Sequence, residues 1–436
     1  MSLDNDFRYT TNLFIRLFKF IFKICGKVLT FLIGLLSFGV TKHKINKTNK
    51  KNRGLLIVEK PQDVKQLCEN GVNKNMLISG GNSSLRACIL SQTLNDSVPF
   101  YNSGIIILHM GDNELINALN LAGNLNILRV DSLTKNFDPF YHRTDDEIIH
   151  IISDSLPNNI ALNNNAMSLL QGVLLYIRAT GGTPSLMTLA KCPYYQLVDK
   201  VNVAIDSGKV SEQIGEQIIR YLIAGTSEIQ IVSNYINSLF KECSSILCVG
   251  NYSSCTDVKK AIDDRKTIVM DISTAANNIL LNIIFSQIRD ILRYSPDTKI
   301  VLNNLNISSS ESKVKDLIQI CNNNLIFSTQ DLYTTLSGDS SLFDVLVSRS
   351  SYNIVMQHNN ATSSDKWSEK MGAYDKMETD FGFGDIFHPK MIFGKNMHVA
   401  NKQERVVKPE EIQRLNSNEM YIMDDVTNSL RLTSIM

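Results

Sequence analysis

The stretch MLISGGNSSLRACILSQTL, residues 76–94, decides the fold because it joins an apolar strand, a glycine pair and a helix. The glycine pair begins at Gly80, and apolar residues with helical spacing follow it. A glycine turn between a buried strand and a helix N-terminus is typical of phosphate-binding loops. A GxxxxGK[ST] loop started at Gly80 needs glycine, lysine and a hydroxyl where this sequence has Leu85, Arg86 and Ala87.

The chain as a whole is long enough to bury a large core. It has 436 residues, 43% of them hydrophobic, which predicts two or three structural units. The net charge of +1 hides an asymmetry: residues 1–60 carry twelve Lys or Arg against three acids, so they sum to +9 and the remainder to −8. A basic head on an acidic body predicts that the head contacts an anionic surface, either membrane or nucleic acid.

The eight cysteines show no metal-binding pattern. No CxxC pair occurs, and the nearest grouping of Cys243, Cys248 and Cys255 has neither histidine partners nor ligand spacing. We therefore expect reduced, structural thiols and a cytosolic body.

The N-terminal segment, residues 12–40, has the pattern of a membrane anchor. Basic residues recur every three or four positions in its first half, at Arg16, Lys19, Lys23 and Lys27. This spacing places them on one face of a helix, which predicts an interfacial helix. Residues 28–40 are uncharged, and these thirteen residues would span about 20 Å of a hydrocarbon core of roughly 30 Å.

Two other interpretations of this segment stay open. A charged region before an apolar run is also the pattern of a signal peptide, and the helix could instead bind a partner protein. The basic stretch KHKINKTNKKNR, residues 42–53, resists translocation and favours the cytoplasmic face beside anionic lipid. Residues 41–55 then form a solvated linker.

The body predicts an α/β fold with a mostly parallel sheet. Strand-like runs alternate with helical patterns, and they are GLLIVE, NMLISG, GIIILHM, LNILRV, SSILCVG, KTIVMDIS, TKIVLNNL, NLIFST and YNIVMQ. In the middle of the body the patterns are helical only. We therefore predict four segments: an anchor and basic linker (1–53), a first α/β part (54–145), an all-helical insertion (146–241), and a second α/β part with a C-terminal tail (242–436).

The order of these features resembles a known family. After the loop come IIILHMGDNELINAL, KNFDPF, the helical insertion, KTIVMDIS, KIVLNNLN, IFSTQDLYTTL and SSDKWSEKMGAYDKME. This series is similar to the type IV coupling proteins, the TraD/TraG group of the FtsK-HerA P-loop ATPases. The resemblance covers residues 55–425 and implies a RecA-like P-loop NTPase core with a membrane-associated N-terminal helix. It also implies a protein that recruits substrates to conjugation and type IV secretion machines.

The resemblance also implies the site residues. The nucleotide loop would consist of Gly80, Gly81, Asn82, Ser83, Ser84 and Arg86. The Walker B strand falls on KIVLNNLN, where Asn303 and Asn304 replace an Asp-Glu pair. Gln330 stands at the position of a glutamine that probes the terminal phosphate.

These departures remove the groups that hold magnesium. ATP hydrolysis needs a loop hydroxyl and a carboxylate on the metal, and Ala87, Asn303 and Asn304 supply neither. Arg86 keeps a positive charge without the compact ammonium of lysine. We expect no metal and assign no catalytic residue, while the glycine turn still allows weak binding of ATP or another phosphate-bearing ligand without hydrolysis. A plain strand-turn-helix remains an open alternative for this loop.

Three hypotheses for the function follow. The first is a membrane-anchored, degenerate ATPase of the coupling-protein type at the cytoplasmic face of the cell membrane, which recruits substrate or secretion machinery proteins. The second is an active, divergent DNA or protein translocase that uses another acid, such as Asp271. The third is a structural subunit that completes a mixed ring with an active relative. The partners implied are the membrane through residues 12–40, secretion or conjugation proteins, DNA or a relaxase-DNA complex, and further copies of this chain or a relative.

Overall fold

The computed structural model describes residues 3–59, 63–72, 74–97, 103–156, 162–248, 254–273, 279–305, 311–321, 323–380 and 398–435. The chain forms two compact units. The first contains Met1–Glu59 and Trp367–Pro409, and the second contains Lys60–Lys366 and Glu410–Met436.

The strands are β1 (Ile57–Glu59), β2 (Met76–Ser79), β3 (Ile105–His109), β4 (Ile127–Val130), β5 (Thr267–Asp271), β6 (Lys299–Asn303), β7 (Leu325–Thr329), β8 (Tyr352–Val355), β9 (Ala373–Asp380), β10 (His398–Arg405), β11 (Glu419–Asp424) and β12 (Ser429–Ser434). The α-helices are α1 (Leu3–Leu56), α2 (Val64–Gly71), α3 (Ser83–Ser97), α4 (Asn113–Leu121), α5 (Asp145–Ser155), α6 (Asn164–Ala179), α7 (Leu186–Ala190), α8 (Leu197–Asp206), α9 (Glu212–Ala224), α10 (Ile229–Cys243), α11 (Val258–Asp263), α12 (Ile279–Tyr294), α13 (Glu311–Ile320), α14 (Leu332–Thr335), α15 (Ser340–Arg349), α16 (Ala361–Lys370) and α17 (Pro409–Gln413).

A large sheet forms the centre of the second unit, with strand order β12-β11-β8-β2-β7-β6-β3-β5-β4. The strands from β8 to β4 pair in parallel, and β11 is antiparallel to both of its neighbours. All residues of β2, β3, β6 and β7 are buried, as expected for parallel strands covered by helices on both faces. The predicted α/β fold with a mostly parallel sheet is confirmed.

The parallel strands place their carboxyl ends at one edge of this sheet. Five of them end there next to one another, at Ser79, Thr329, Asn303, His109 and Asp271. The loops that follow these strands therefore meet, which is where open α/β sheets bind ligands.

Helices α5 to α10 occupy the segment between β4 and β5 in which the sequence predicts helices. Helix α5 begins with a capping box in which Thr144 and Glu147 bond each other's backbone. Gly172 lets α6 and α9 approach closely, because a Cβ there would lie 3.0 Å from the Cβ of Tyr221. The run SSILCVG was expected to be a strand, but its Leu247 makes only an isolated bridge to Phe137.

The first unit combines α1 with an antiparallel hairpin of β9 and β10. The Asn49 side chain pairs with the backbone of Met377, donating to its carbonyl at 2.9 Å and accepting from its N–H at 3.0 Å. The Arg53 Nε donates to the carbonyl of Val406 at 2.7 Å. The expected solvated linker over residues 41–55 is therefore wrong: this segment continues the helix and holds the hairpin.

Helix α1 exposes many large apolar side chains before this point, among them Phe14 and Phe22, which are 71% and 73% exposed. Even so, among the described residues no helix combines the length and the apolar character needed to cross a bilayer.

Cys248 and Cys255 form a disulfide, with Cα atoms 5.8 Å apart. The expectation of reduced thiols is therefore wrong for this pair. The backbone explains the pairing, because the Cys248 N–H donates to Phe137 O at 2.8 Å and the Thr256 N–H to Asn136 O at 2.7 Å. Both cysteines are thus held against the same segment, at a distance that a disulfide spans.

Candidate functional site

The glycine pair after β2 is required by the backbone and by close packing. Gly80 and Gly81 have φ values of 94° and 66°, in the region that side chains other than glycine rarely adopt. A Cβ on Gly80 would lie 2.7 Å from the carbonyl oxygen of Gln357, and one on Gly81 would lie 2.5 Å from Met356 Sδ. Both glycines thus have a structural reason that involves no ligand.

Three N–H groups in and beside this loop are already bonded within the protein. The Gly80 N–H donates to Thr329 O at 3.1 Å and the Gly81 N–H to Gln357 O at 2.9 Å. The Leu85 N–H donates to Asn82 Oδ1 at 2.7 Å, so Asn82 caps α3. These three donors are not directed at a phosphate.

Arg86 points into the protein and not toward a ligand. Its side chain is 3% exposed, and Nη1 donates to the carbonyls of Gly80 and Gly81 at 2.9 and 2.8 Å. Burial lowers the pKa of Arg86, and the nearby Asp112 carboxylate acts in the opposite direction. The guanidinium therefore stabilises the loop by binding its carbonyls from the protein interior.

A buried serine-histidine pair, which no sequence pattern predicted, lies beside the loop. Ser79 Oγ lies 2.9 Å from His358 Nε2, while His358 Nδ1 lies 2.8 Å from Met356 O. Since a carbonyl only accepts, Nδ1 carries the proton and Nε2 accepts from Ser79. Ser79 Oγ also accepts the Leu332 N–H at 3.2 Å. Burial lowers the pKa of His358, which keeps the imidazole neutral. The hydrogen bonds of Ser79 and His358 connect the end of β2 to the residues that follow β7 and β8.

The two asparagines that were expected at the Walker B position donate to one carboxylate. Asn303 Nδ2 and Asn304 Nδ2 lie 2.8 and 3.1 Å from Asp112 Oδ2. The other oxygen, Asp112 Oδ1, accepts the Leu115 N–H at 3.0 Å and caps α4. The structure thus brings the two predicted positions together, on an acid of the neighbouring loop.

A second acid at this edge, Asp271, bonds to backbone groups. Its Oδ1 accepts the N–H groups of Gly111 and Ser273 at 3.1 and 2.9 Å. His109 Nδ1 accepts the Asp112 N–H at 3.1 Å, and burial lowers the pKa of this histidine. Within the described ranges, no group of three or more His, Cys, Asp or Glu residues is placed to hold a metal ion.

Gln330 lies in a cleft of about 660 Å³ at the same edge. The cleft is lined by Gly81, Asn304, Leu305, Thr329, Gln330, Asp331, Thr334, Thr335, Ser337, Gln357, Asn359 and Asn360. Asp331 accepts hydrogen bonds from Ser363 Oγ at 2.6 and 2.8 Å and from the Thr334 N–H at 3.1 Å. As far as the described residues show, this lining is made mainly of amides and hydroxyls around one carboxylate and includes no cation, so it does not favour a phosphate.

The KNFDPF segment has a structural role away from this cleft. Asp138 is buried and accepts the N–H groups of Phe140 and Leu186, at 2.9 and 3.0 Å. Burial raises its pKa to about 6. Asp138 thereby connects this segment to the start of α7.

Comparison with known proteins agrees with this fold. No protein-family model matches the sequence, and no curated protein matches it significantly. Among solved structures, the unbound bacterial conjugative coupling protein TrwBdeltaN70 aligns with a TM-score of 0.50 and 12% identity over 84% of this chain and 85% of that chain. The plasmid coupling protein TrwB bound to a non-hydrolysable ATP analogue aligns with a TM-score of 0.50 and 11% identity over 89% of this chain and 92% of that chain. At the level of the fold, the expected resemblance to coupling proteins is confirmed.

Proposed function

We propose that this chain is a divergent, membrane-anchored type IV coupling protein that has lost ATP turnover and recruits substrate or machinery proteins of a conjugation or type IV secretion system. The coupling-protein fold and the order of the sequence features support the family assignment. The four-segment organisation, with the helical insertion as a recognition surface, belongs to the same proposal.

One observation carries the loss of turnover: Asn303 and Asn304 donate to Asp112. A magnesium site needs anionic oxygens that face the ligand, and an amide nitrogen that faces a carboxylate offers none. The carboxylate that the two asparagines face, Asp112, already accepts both amides and the N–H of Leu115.

The loop supports the same conclusion. Arg86 is bonded to the loop carbonyls, and the amides of Gly80 and Gly81 are bonded to the carbonyls of Thr329 and Gln357. Phosphoryl transfer is catalysed almost entirely by charges and hydrogen-bond donors positioned around the phosphates. Because these groups bond to the protein itself here, they are not available for catalysis. A phosphate-bearing ligand would bind weakly and without magnesium.

The proposed membrane attachment rests on α1. Its exposed apolar side chains between Leu13 and Val40 need a non-aqueous or protein environment. The basic residues on both sides of residues 28–40 favour attachment at the cytoplasmic face.

Calorimetry and phosphate release test the loss of turnover, with full-length protein in lipid nanodiscs, ATP and magnesium, with and without DNA. We expect no magnesium-dependent hydrolysis. The rival function is an active translocase that uses Asp271 at the end of β5. It requires ATP turnover that disappears in Asp271→Asn, and that result would overturn our proposal.

The recruiting role is tested in donor cells, where deleting the chain should lower plasmid transfer, and transfer at the normal rate would contradict it.

A further inference from the structure

Residues 41–53 of α1 have two distinct faces. Thr41, Ile45, Asn49, Asn52 and Arg53 are partly or fully buried. Their spacing of three or four residues places them on one side of the helix. Asn49 and Arg53 on this side bond the hairpin backbone, so this face is occupied by the protein itself.

The opposite face is cationic. It carries the exposed lysines Lys44, Lys47, Lys50 and Lys51. The sequence has no acid between residues 41 and 53, and in the described part of the chain no carboxylate pairs with these four side chains. Four uncompensated charges in eight residues attract a polyanion.

Position along the helix favours one kind of polyanion. The apolar side chains that directly precede this face are exposed, including Leu36 at 71% and Val40 at 57%. At about 1.5 Å per residue, the four lysines lie roughly 6 to 17 Å beyond Val40 along the same axis. An apolar surface followed within that distance by lysines matches acyl chains followed by headgroups. Nucleic acid would neutralise the lysines and leave the apolar residues in water.

We propose that Lys44, Lys47, Lys50 and Lys51 bind the anionic headgroups of phospholipids while the other face of the same helical segment holds the β9–β10 hairpin. This inference rests on the proposed membrane attachment of α1 and adds the lipid class. It places the hairpin at the headgroup layer, because Asn49 and Arg53 tie it to a helix segment that is itself bound there.

The test is co-sedimentation of the full chain with vesicles of neutral phosphatidylcholine or of phosphatidylcholine containing about one third phosphatidylglycerol. The variant is Lys44→Gln/Lys47→Gln/Lys51→Gln. The matched control, Lys191→Gln/Lys200→Gln/Lys209→Gln, removes the same charge from exposed lysines of the helical insertion. Glutamine keeps the helix propensity of lysine, and circular dichroism checks the fold.

We expect the variant to bind anionic vesicles about 100-fold more weakly than the native chain, with neutral-vesicle binding unchanged and the control unaffected. Added salt should reduce this difference. Native chain that binds both vesicles equally, with no loss in the variant, overturns the inference and leaves the anchor intact. Native chain that binds neither overturns both. If the variant keeps its vesicle affinity but loses affinity for a duplex DNA probe, the lysine face belongs to nucleic acid and the lipid proposal is overturned.

Discussion

Asn303 Nδ2 donates to Asp112 Oδ2 at 2.8 Å, so the end of β6 is bound to the start of α4 through an amide and a carboxylate. Both residues are at least partly shielded from water, Asn303 almost completely. An aspartate in place of Asn303 would put two carboxylates in contact.

We therefore expect Asn303→Asp to lower the free energy of unfolding by about 3 kcal/mol near neutral pH, because a buried charge would face a like charge. Urea unfolding measures it. The double variant Asn303→Asp/Asp112→Asn restores one amide-carboxylate pair and should recover most of the loss. Equal stability of the single variant and the native chain would contradict the assigned bond.

Arg86→Met should destabilise the loop, because it leaves the carbonyls of Gly80 and Gly81 without their donor. We expect a loss of about 2 kcal/mol and faster hydrogen exchange over residues 80–86. The stability of Arg86→Lys, which keeps the charge but not the planar fork, should lie between those of the native chain and Arg86→Met. Unchanged exchange in Arg86→Met would show that the guanidinium does not hold the loop.

Gly80→Ala should cost about 3 kcal/mol, since it combines an unfavourable φ of 94° with a contact of 2.7 Å to a backbone carbonyl. Gly338→Ala is a matched control, because its φ is 77° but the nearest atom to its Cβ is 3.7 Å away. Strain alone should cost the control about 1 kcal/mol. Thermal and urea unfolding of the two variants give the comparison, and equal losses would rule out the close approach at Gly80.

Lys299 makes the stability depend on pH. It is fully buried, its Nζ donates to Lys74 O and Asn323 O at 3.2 and 3.4 Å, and burial lowers its pKa to about 7. The unfolded chain then binds more protons between about pH 7 and pH 10.5, so the free energy of unfolding rises with pH across this window. The penalty of the buried charge is complete below about pH 7.

Lys299→Met lacks this charge, so its stability relative to the native chain should be highest near pH 6 and should fall as the pH rises toward about 9. Denaturant titrations of both proteins at several pH values measure the difference. A constant difference across the range would show that Lys299 does not titrate as its burial implies.

The sequence was informative where burial determines the residue pattern. Strands such as β3 and β6 are covered on both faces, so they appear as uninterrupted apolar runs between turn residues. The hairpin was not predicted, because AYDKMETD of β9 is polar and its contact with Asn49 joins residues more than three hundred positions apart in sequence.

The candidate site could be located but not oriented. The glycine pair and the two asparagines follow parallel strands and so lie at one edge of the sheet, since strand ends can be counted from sequence. The direction of Arg86 and the bond from Asn303 to Asp112 depend on packing between separate loops. The protonation pattern of His358 likewise follows from Met356 and Ser79, which no local signal associates.

The bonds from α1 to the hairpin bear on how a shortened, soluble form of the protein should be designed. Starting the chain at residue 54, after the apolar and basic segments, would delete Asn49 and Arg53 and leave the backbone of Met377 and Val406 without those partners. A start before Thr41 removes most of the exposed apolar side chains and keeps both contacts. The exposed apolar residues of α1 can thus be removed with both contacts kept only by a cut upstream of Asn49.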